Sequence, residues 1–189
     1  MDSQDNENTC TEREGFRNAA IREAKEESGM EIINDLHYFM EFTTPEQKRR
    51  FRTAFFISQV ESGLPVQVDG SEIVAYQWQS PKYFLKMYQN RELSLMVPTG
   101  LTLMRLARYR SAQQVIAELP RENHFVLNPE WHYFADDSKA MVFPGDEHHS
   151  TAVGIQGMEH RCIFARKSRH WFYVHNTDPA EYPRLDGGT

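Results

Sequence analysis

Three acidic residues close together in the chain, Glu23, Glu26 and Glu27, have the type and spacing that best suit a reaction. They lie in Glu14–Met30, EGFRNAAIREAKEESGM, where Phe16, Ala19, Ala20, Ala24 and Met30 recur at helical spacing and Gly29 stands where a helix C-terminal glycine belongs. At about 100° per residue, Glu26 falls about 60° to one side of Glu23 and Glu27 about 40° to the other, so one face carries all three carboxylates. Like charges at i,i+4 cost roughly a few tenths of a kcal/mol per pair. A divalent cation over the face would put that charge to use, because Mg²⁺ takes a few carboxylate oxygens and completes its octahedron with waters and substrate phosphates. Arg22, four residues before Glu26, can hold the array in place. The same string also suits a plain solvated helix face, and the local spacing alone leaves both readings open.

The elements around that helix read as a mixed α/β chain. Residues 1–13, MDSQDNENTCTER, have no apolar periodicity and read as disordered. Strands are expected over Ile32–Phe42, Phe51–Val60 and Ile73–Trp78, with Thr43-Thr44-Pro45 and the Gly63–Gly70 region breaking the chain between them. Ser80-Pro81 starts a helix to about Asn90, and Pro98 precedes a longer one from Thr99 to about Leu119. Beyond Pro120 short strands are expected around Phe125, Met141–Phe143, Cys162–Phe164 and Trp171–Val174.

At 189 residues the chain can form one domain, or one domain with an appendage, and 40% apolar with 25% charged residues is ordinary for a globular protein. Its net charge of −6 argues against a phosphate polymer as the main partner, so no nucleic-acid role is expected. Cys10 and Cys162 have no metal-ligand or redox spacing and read as free thiols. With no signal peptide in the first twenty residues and no apolar run of about 20 residues, a cytoplasmic protein without membrane spans is expected.

The wider spacing resembles the Nudix signature, GX5EX7REUXEEXGU, in which U is a bulky apolar residue. Glu14 occupies the first glutamate, followed by Arg22-Glu23, Glu26-Glu27 and Gly29-Met30 at the signature spacing. Ala24 stands in place of a larger apolar residue, and Asn8 in place of the leading glycine. The resemblance implies a mixed sheet with helices packed on it, N-terminally truncated here, over 14–120, with a strand-rich C-terminal extension over 121–189 packed on the same domain. Downstream, Phe42-Thr43-Thr44-Pro45 with Arg49-Arg50-Phe51-Arg52-Thr53-Ala54-Phe55-Phe56 is similar to a stretch of the peroxisomal-type coenzyme A diphosphatase branch. Asp69, Glu72, Trp78 and Pro81 match the D-x-x-E-x(5)-W-x-x-P pattern of that branch, and Phe143-Pro144-Gly145-Asp146 extends the likeness loosely.

The resemblance implies a magnesium-dependent hydrolase of a diphosphate bond, with Mn²⁺ as the other candidate ion and coenzyme A or an acyl-coenzyme A as the small-molecule substrate. Glu23, Glu26 and Glu27 would bind the metal, Glu26 or Glu72 would accept the proton of the attacking water, and Arg22 would organise the carboxylates. If Arg50 and Arg52 share one strand face they could grip phosphates bidentately; equally, they could protect a strand edge. Glu72 is open between a further ligand or base and a surface glutamate. His132, His148, His149 and His160 fit no zinc spacing and read as exposed loop histidines. A catalytically silent binding module or incomplete fragment is the rival reading, and many relatives of this type form homodimers.

Overall fold

The computed structural model describes residues 3–33, 35–46, 48–61, 63–70, 73–119, 124–152, 156–165 and 169–186, with the side chains of the first helix described from Glu12 onward. The elements are α1 (Ser3–Ser28), β1 (His37–Thr43), β2 (Arg52–Ile57), α2 (Pro81–Gln89), α3 (Val97–Leu106), α4 (Ala112–Glu118), β3 (Phe125–Leu127), β4 (Glu130–Tyr133), β5 (Lys139–Val142), β6 (His160–Phe164) and β7 (Trp171–His175). One sheet runs β2-β1-β3 and a second runs β4-β5-β6-β7. The chain divides into two compact units. Unit 1 comprises residues 1–40, 54–78 and 112–124; unit 2 comprises 41–53, 79–111 and 125–189. The tail therefore shares its unit with α2 and α3.

In unit 1, α1 begins at Ser3, well before the start expected from the apolar pattern at Phe16. Once a helix is nucleated, each added residue forms one hydrogen bond for one residue ordered, so a polar leader can extend it without an apolar face. The other end stops where a glycine is needed. Gly29 has φ +68 and its N–H bonds the Lys25 carbonyl at 3.0 Å. The backbone N–H groups of Gln67 and Asp69 then reach the Ser28 and Glu27 carbonyls at 2.8 and 3.2 Å, satisfying acceptors that the helix end leaves open. β1 is shorter than the expected Ile32–Phe42: it starts at His37, after the poor strand former Asp35. Tyr38 packs edge-on to Phe56 at 5.6 Å, which ties β1 to β2.

The strand expected over Ile73–Trp78 is absent: the segment has no regular secondary structure and pairs with no strand among the described residues. Val74, Tyr76 and Trp78 are 77%, 56% and 58% exposed, so the alternating apolar pattern is present and largely uncovered among the described residues. Alternation marks a face, and a ladder also needs a neighbour.

Unit 2 opens its helices as the sequence suggests. Ser80 caps α2 by accepting from the Tyr83 N–H at 3.2 Å, with Pro81 in the first turn. The long helix expected from Thr99 to Leu119 is instead two: the Arg108 and Tyr109 N–H groups turn to the Arg105 and Leu106 carbonyls at 3.4 and 3.2 Å, which ends α3, and α4 starts at Ala112 in unit 1. The tail sheet is an antiparallel meander, registered by Trp131 opposite Met141, Met141 opposite Cys162 and Cys162 opposite Tyr173. β4 is an element that the sequence pattern did not show. Ala140, Val142, Phe143 and Cys162 are fully buried in this sheet and the turn after it, and burial pushes the free Cys162 thiol up, away from ionisation.

Where the meander turns after Phe143, Asp146 is buried beside Arg161 at 2.6 and 3.0 Å, and also accepts the His148 and His160 backbone N–H groups. A buried carboxylate is tolerated because all its acceptor positions find donors. Three of the histidines expected in exposed loops lie elsewhere: His149 is buried and bonds the Thr151 hydroxyl and the Asn128 carbonyl, His160 is buried in β6, and His132 is half-buried in β4. The meander closes over them, a long-range contact that the loop-like local sequence does not show.

Candidate functional site

The site starts from α1. Arg22, Glu23 and Glu26 stand on the exposed side of the helix, and Glu27 is half-buried where the Gln67–Asp69 strap crosses the helix end. Arg22 spans its neighbours, with Glu23 at 3.6 Å and Glu26 at 3.8 Å, and all three side chains are more than half exposed. Pairs this open to water are worth at most about 1 kcal/mol, so Arg22 biases the carboxylates without locking them. One turn on, Lys25 bonds Glu31 at 2.7 Å; that bond holds the Lys25 ammonium above its usual range and the Glu31 carboxyl below its own. Lys25 is thereby directed toward Glu31.

The donor set suits a hard divalent cation: several carboxylate oxygens, accessible, with no thiolate or imidazole among them. Among the described residues no three acidic, histidine or cysteine side chains lie close enough together to hold an ion as placed. Glu14 is also exposed on α1. Glu72 lies outside the described residues. Asp69 accepts the Ile73 N–H at 2.8 Å while Gly70 N–H bonds the Ile73 carbonyl at 3.0 Å, so Asp69 is a turn former.

The two arginines expected to share a strand face do not. β2 begins at Arg52, and Arg50 precedes it, with its Nε donating to the Thr44 carbonyl at 3.3 Å. Arg52 forms a fork with Glu41 at 2.5 and 3.0 Å, and Glu41 is buried in β1. That bidentate pairing occupies the guanidinium which a phosphate would otherwise use. Glu41 was missed from the sequence, although a lone acid inside the apolar run Phe39-Met40-Glu41-Phe42 facing a strand that starts with arginine was signal enough. Arg49 lies over the Phe51 ring at 4.8 Å, and Lys48, Arg49 and Arg50 are all exposed.

His132 and His148 meet edge to face at 3.9 Å, and burial holds His132 below its ordinary range, with the His148 charge adding to the effect. Their surroundings are a buried ion pair and aromatic rings, which gives the cluster a packing role.

Residues 8–96 match the NUDIX domain family. The Homo sapiens acyl-coenzyme A diphosphatase NUDT19 is 35% identical over 79 residues, covering 40% of this chain and 21% of that protein. The chain thus spans about a fifth of the length of the curated relative it matches. No solved structure matches the chain at a significant level.

Proposed function

From the match of residues 8–96 to the NUDIX domain family, we propose that the chain hydrolyses a diphosphate bond, with coenzyme A or an acyl-coenzyme A as the substrate class. The observation that carries the reading is the array Arg22, Glu23, Glu26 and Glu27 on one face of α1, ended by Gly29 at the signature position. The likeness to a human acyl-coenzyme A diphosphatase supports the substrate class.

Glu23, Glu26 and Glu27 hold the divalent ion, Mg²⁺ or Mn²⁺, in this reading. The bound ion supplies neutralisation of the diphosphate charge and a more acidic water. Glu26 takes the proton of the attacking water as its oxygen bonds to phosphorus and the bridging P–O bond breaks. Arg22, paired to Glu23 and Glu26, keeps those side chains over the face and takes no part in bond making. The exposed Lys48, Arg49 and Arg50 are the cations that could contact the substrate's other phosphates, whereas Arg52 serves Glu41.

One observation favours a catalytically silent binding module instead: the exposed apolar side chains of Val74, Tyr76 and Trp78. Incubating the chain with coenzyme A, with Mg²⁺ and with EDTA, separates the two. Magnesium-dependent release of phosphopantetheine supports the hydrolase; binding without turnover supports the module. Among the described residues no helix is long and apolar enough to cross a membrane.

A further inference from the structure

Unit 2 contains a cavity of about 410 Å³ in which the carboxylate helix has no part. Tyr88, Met104, Trp171, Phe172 and Tyr173 form much of its wall, and Arg91 stands at its edge. The polar tips of these rings are already committed to backbone. The Tyr88 hydroxyl donates to the Trp171 carbonyl at 2.7 Å and accepts from the Trp171 N–H at 2.6 Å. Trp171 Nε1 donates to the Leu95 carbonyl at 2.8 Å, and the Tyr173 hydroxyl accepts the Leu185 N–H at 3.0 Å. Trp171 is also seated so closely on Gly100 that a Cβ there would come within 2.4 Å of the ring. Tyr88 and Trp171 are themselves buried and form a rigid backing, so the ring surface open to a small ligand is Phe172, 54% exposed, with part of Tyr173.

Charge at the cavity is uneven. Asp186 lines it too, but Arg184 forks onto that carboxylate at 3.0 and 2.7 Å. Arg91 has no carboxylate partner among the described residues. Its backbone is the second observation. Arg91 has φ +63 and its N–H bonds the Tyr88 carbonyl at 3.0 Å, while the Glu92 N–H bonds the Met87 carbonyl at 2.9 Å. These two bonds are the Schellman ending of α2, at the position helices normally give to glycine. The chain thus places an arginine at the cavity edge against its local backbone preference.

We infer that this cavity is a binding site for a flat ring carrying an anionic group, of the nucleoside monophosphate class, with the ring on the aromatic wall and the anion on Arg91. Aromatic faces accept any nucleobase by stacking, and a guanidinium takes a phosphate bidentately. The inference does not rest on the hydrolase reading, since it uses none of the α1 carboxylates.

Calorimetric titration of the whole chain with AMP in EDTA tests it. The expected result is saturable binding with a dissociation constant below about 1 mM. Adenosine and inorganic phosphate, each alone, should bind at least about tenfold more weakly. Arg91→Gly should weaken AMP at least about tenfold while raising the thermal midpoint by about 2–4 °C, because the helix end loses its strained residue. Arg91→Asn, which tolerates the same backbone, is the second variant if glycine disturbs the fold. Met104→Trp, filling the cavity, should abolish binding, and Glu26→Gln should leave it unchanged. Absence of AMP binding, unchanged affinity in both Arg91 variants, phosphate binding as tightly as AMP, or loss of binding in Glu26→Gln would each overturn the assignment.

Discussion

Acid should destabilise unit 2 through one imidazole, His160. The side chain is buried in β6, 4% exposed, and its Nδ1 lies 2.7 Å from the Pro144 carbonyl, an acceptor only, so Nδ1 carries the proton. Nε2 is buried with no partner. Phe143 and Tyr173 face the ring at 5.3 and 5.8 Å, His175 at 5.0 Å, and Asp146 binds the His160 backbone N–H. Burial pushes the imidazole down from 6.5 to about 4, with His175 and His149 adding to the shift and the Pro144 carbonyl and Asp146 opposing it. Between those values the unfolded chain binds a proton that the native chain refuses. Stability therefore falls as pH drops through about 6.5, and the whole contribution is gone below about 4. A gap of that width corresponds to about 3 kcal/mol. His160→Asn keeps a donor near the Nδ1 position for Pro144 and removes the titration. Urea unfolding followed by tryptophan fluorescence, at pH steps from 7 to 4, should show the wild-type free energy declining about 3 kcal/mol more than that of the variant. Parallel pH profiles for the two chains would refute the reasoning, whatever their absolute stabilities.

Three further outcomes are expected. Glu26→Gln and Glu27→Gln should each lower magnesium-dependent turnover by at least about 100-fold with unchanged far-UV circular dichroism; wild-type-like rates in either would remove the carboxylate face from the reaction. Gly29→Ala places a side chain at φ +68 and a Cβ 3.2 Å from that of Gln67, and should cost about 1–2 kcal/mol in chemical denaturation. Arg52→Met leaves the buried Glu41 carboxylate without its fork and should cost about 1–3 kcal/mol, much of it recovered in the Glu41→Gln, Arg52→Met double variant. A double variant no more stable than Arg52→Met would show that the pair is not coupled.

The parts legible in the sequence are those that local pattern controls. The carboxylate helix, its glycine stop, the Ser80-Pro81 helix start and most tail strands depend on residues a few positions apart, and the structure has them where the pattern places them. Partners far apart in the chain were not legible. Arg52 reads as a free cation until Glu41, eleven residues away, is laid beside it, and His160 reads as a loop residue until β5 and β7 flank it. The stretch Ile73–Trp78 errs in the other direction, since its alternation is that of a strand but no neighbour supplies a ladder. Thr99–Leu119 differs for another reason: the helical spacing continues through Tyr109, and periodicity does not register that the backbone there turns to tighter bonds and ends α3.

An anionic diphosphate approaching α1 meets the carboxylates of Glu23, Glu26 and Glu27 with Arg22 paired to two of them, in a chain of net charge −6. Two like charges 4 Å apart in water repel by about 1 kcal/mol, and more as water is displaced. Arg22, itself drawn to Glu23 and Glu26, returns at most about 1 kcal/mol at its exposure. The helix face by itself thus repels the substrate class it is proposed to cleave, and in that proposal a divalent cation would reverse the sign. The proposed cation would then serve approach as well as chemistry. The carboxylates and Arg22 act on charge alone, so in the proposed reaction recognition of the organic part of the substrate would fall to other surfaces.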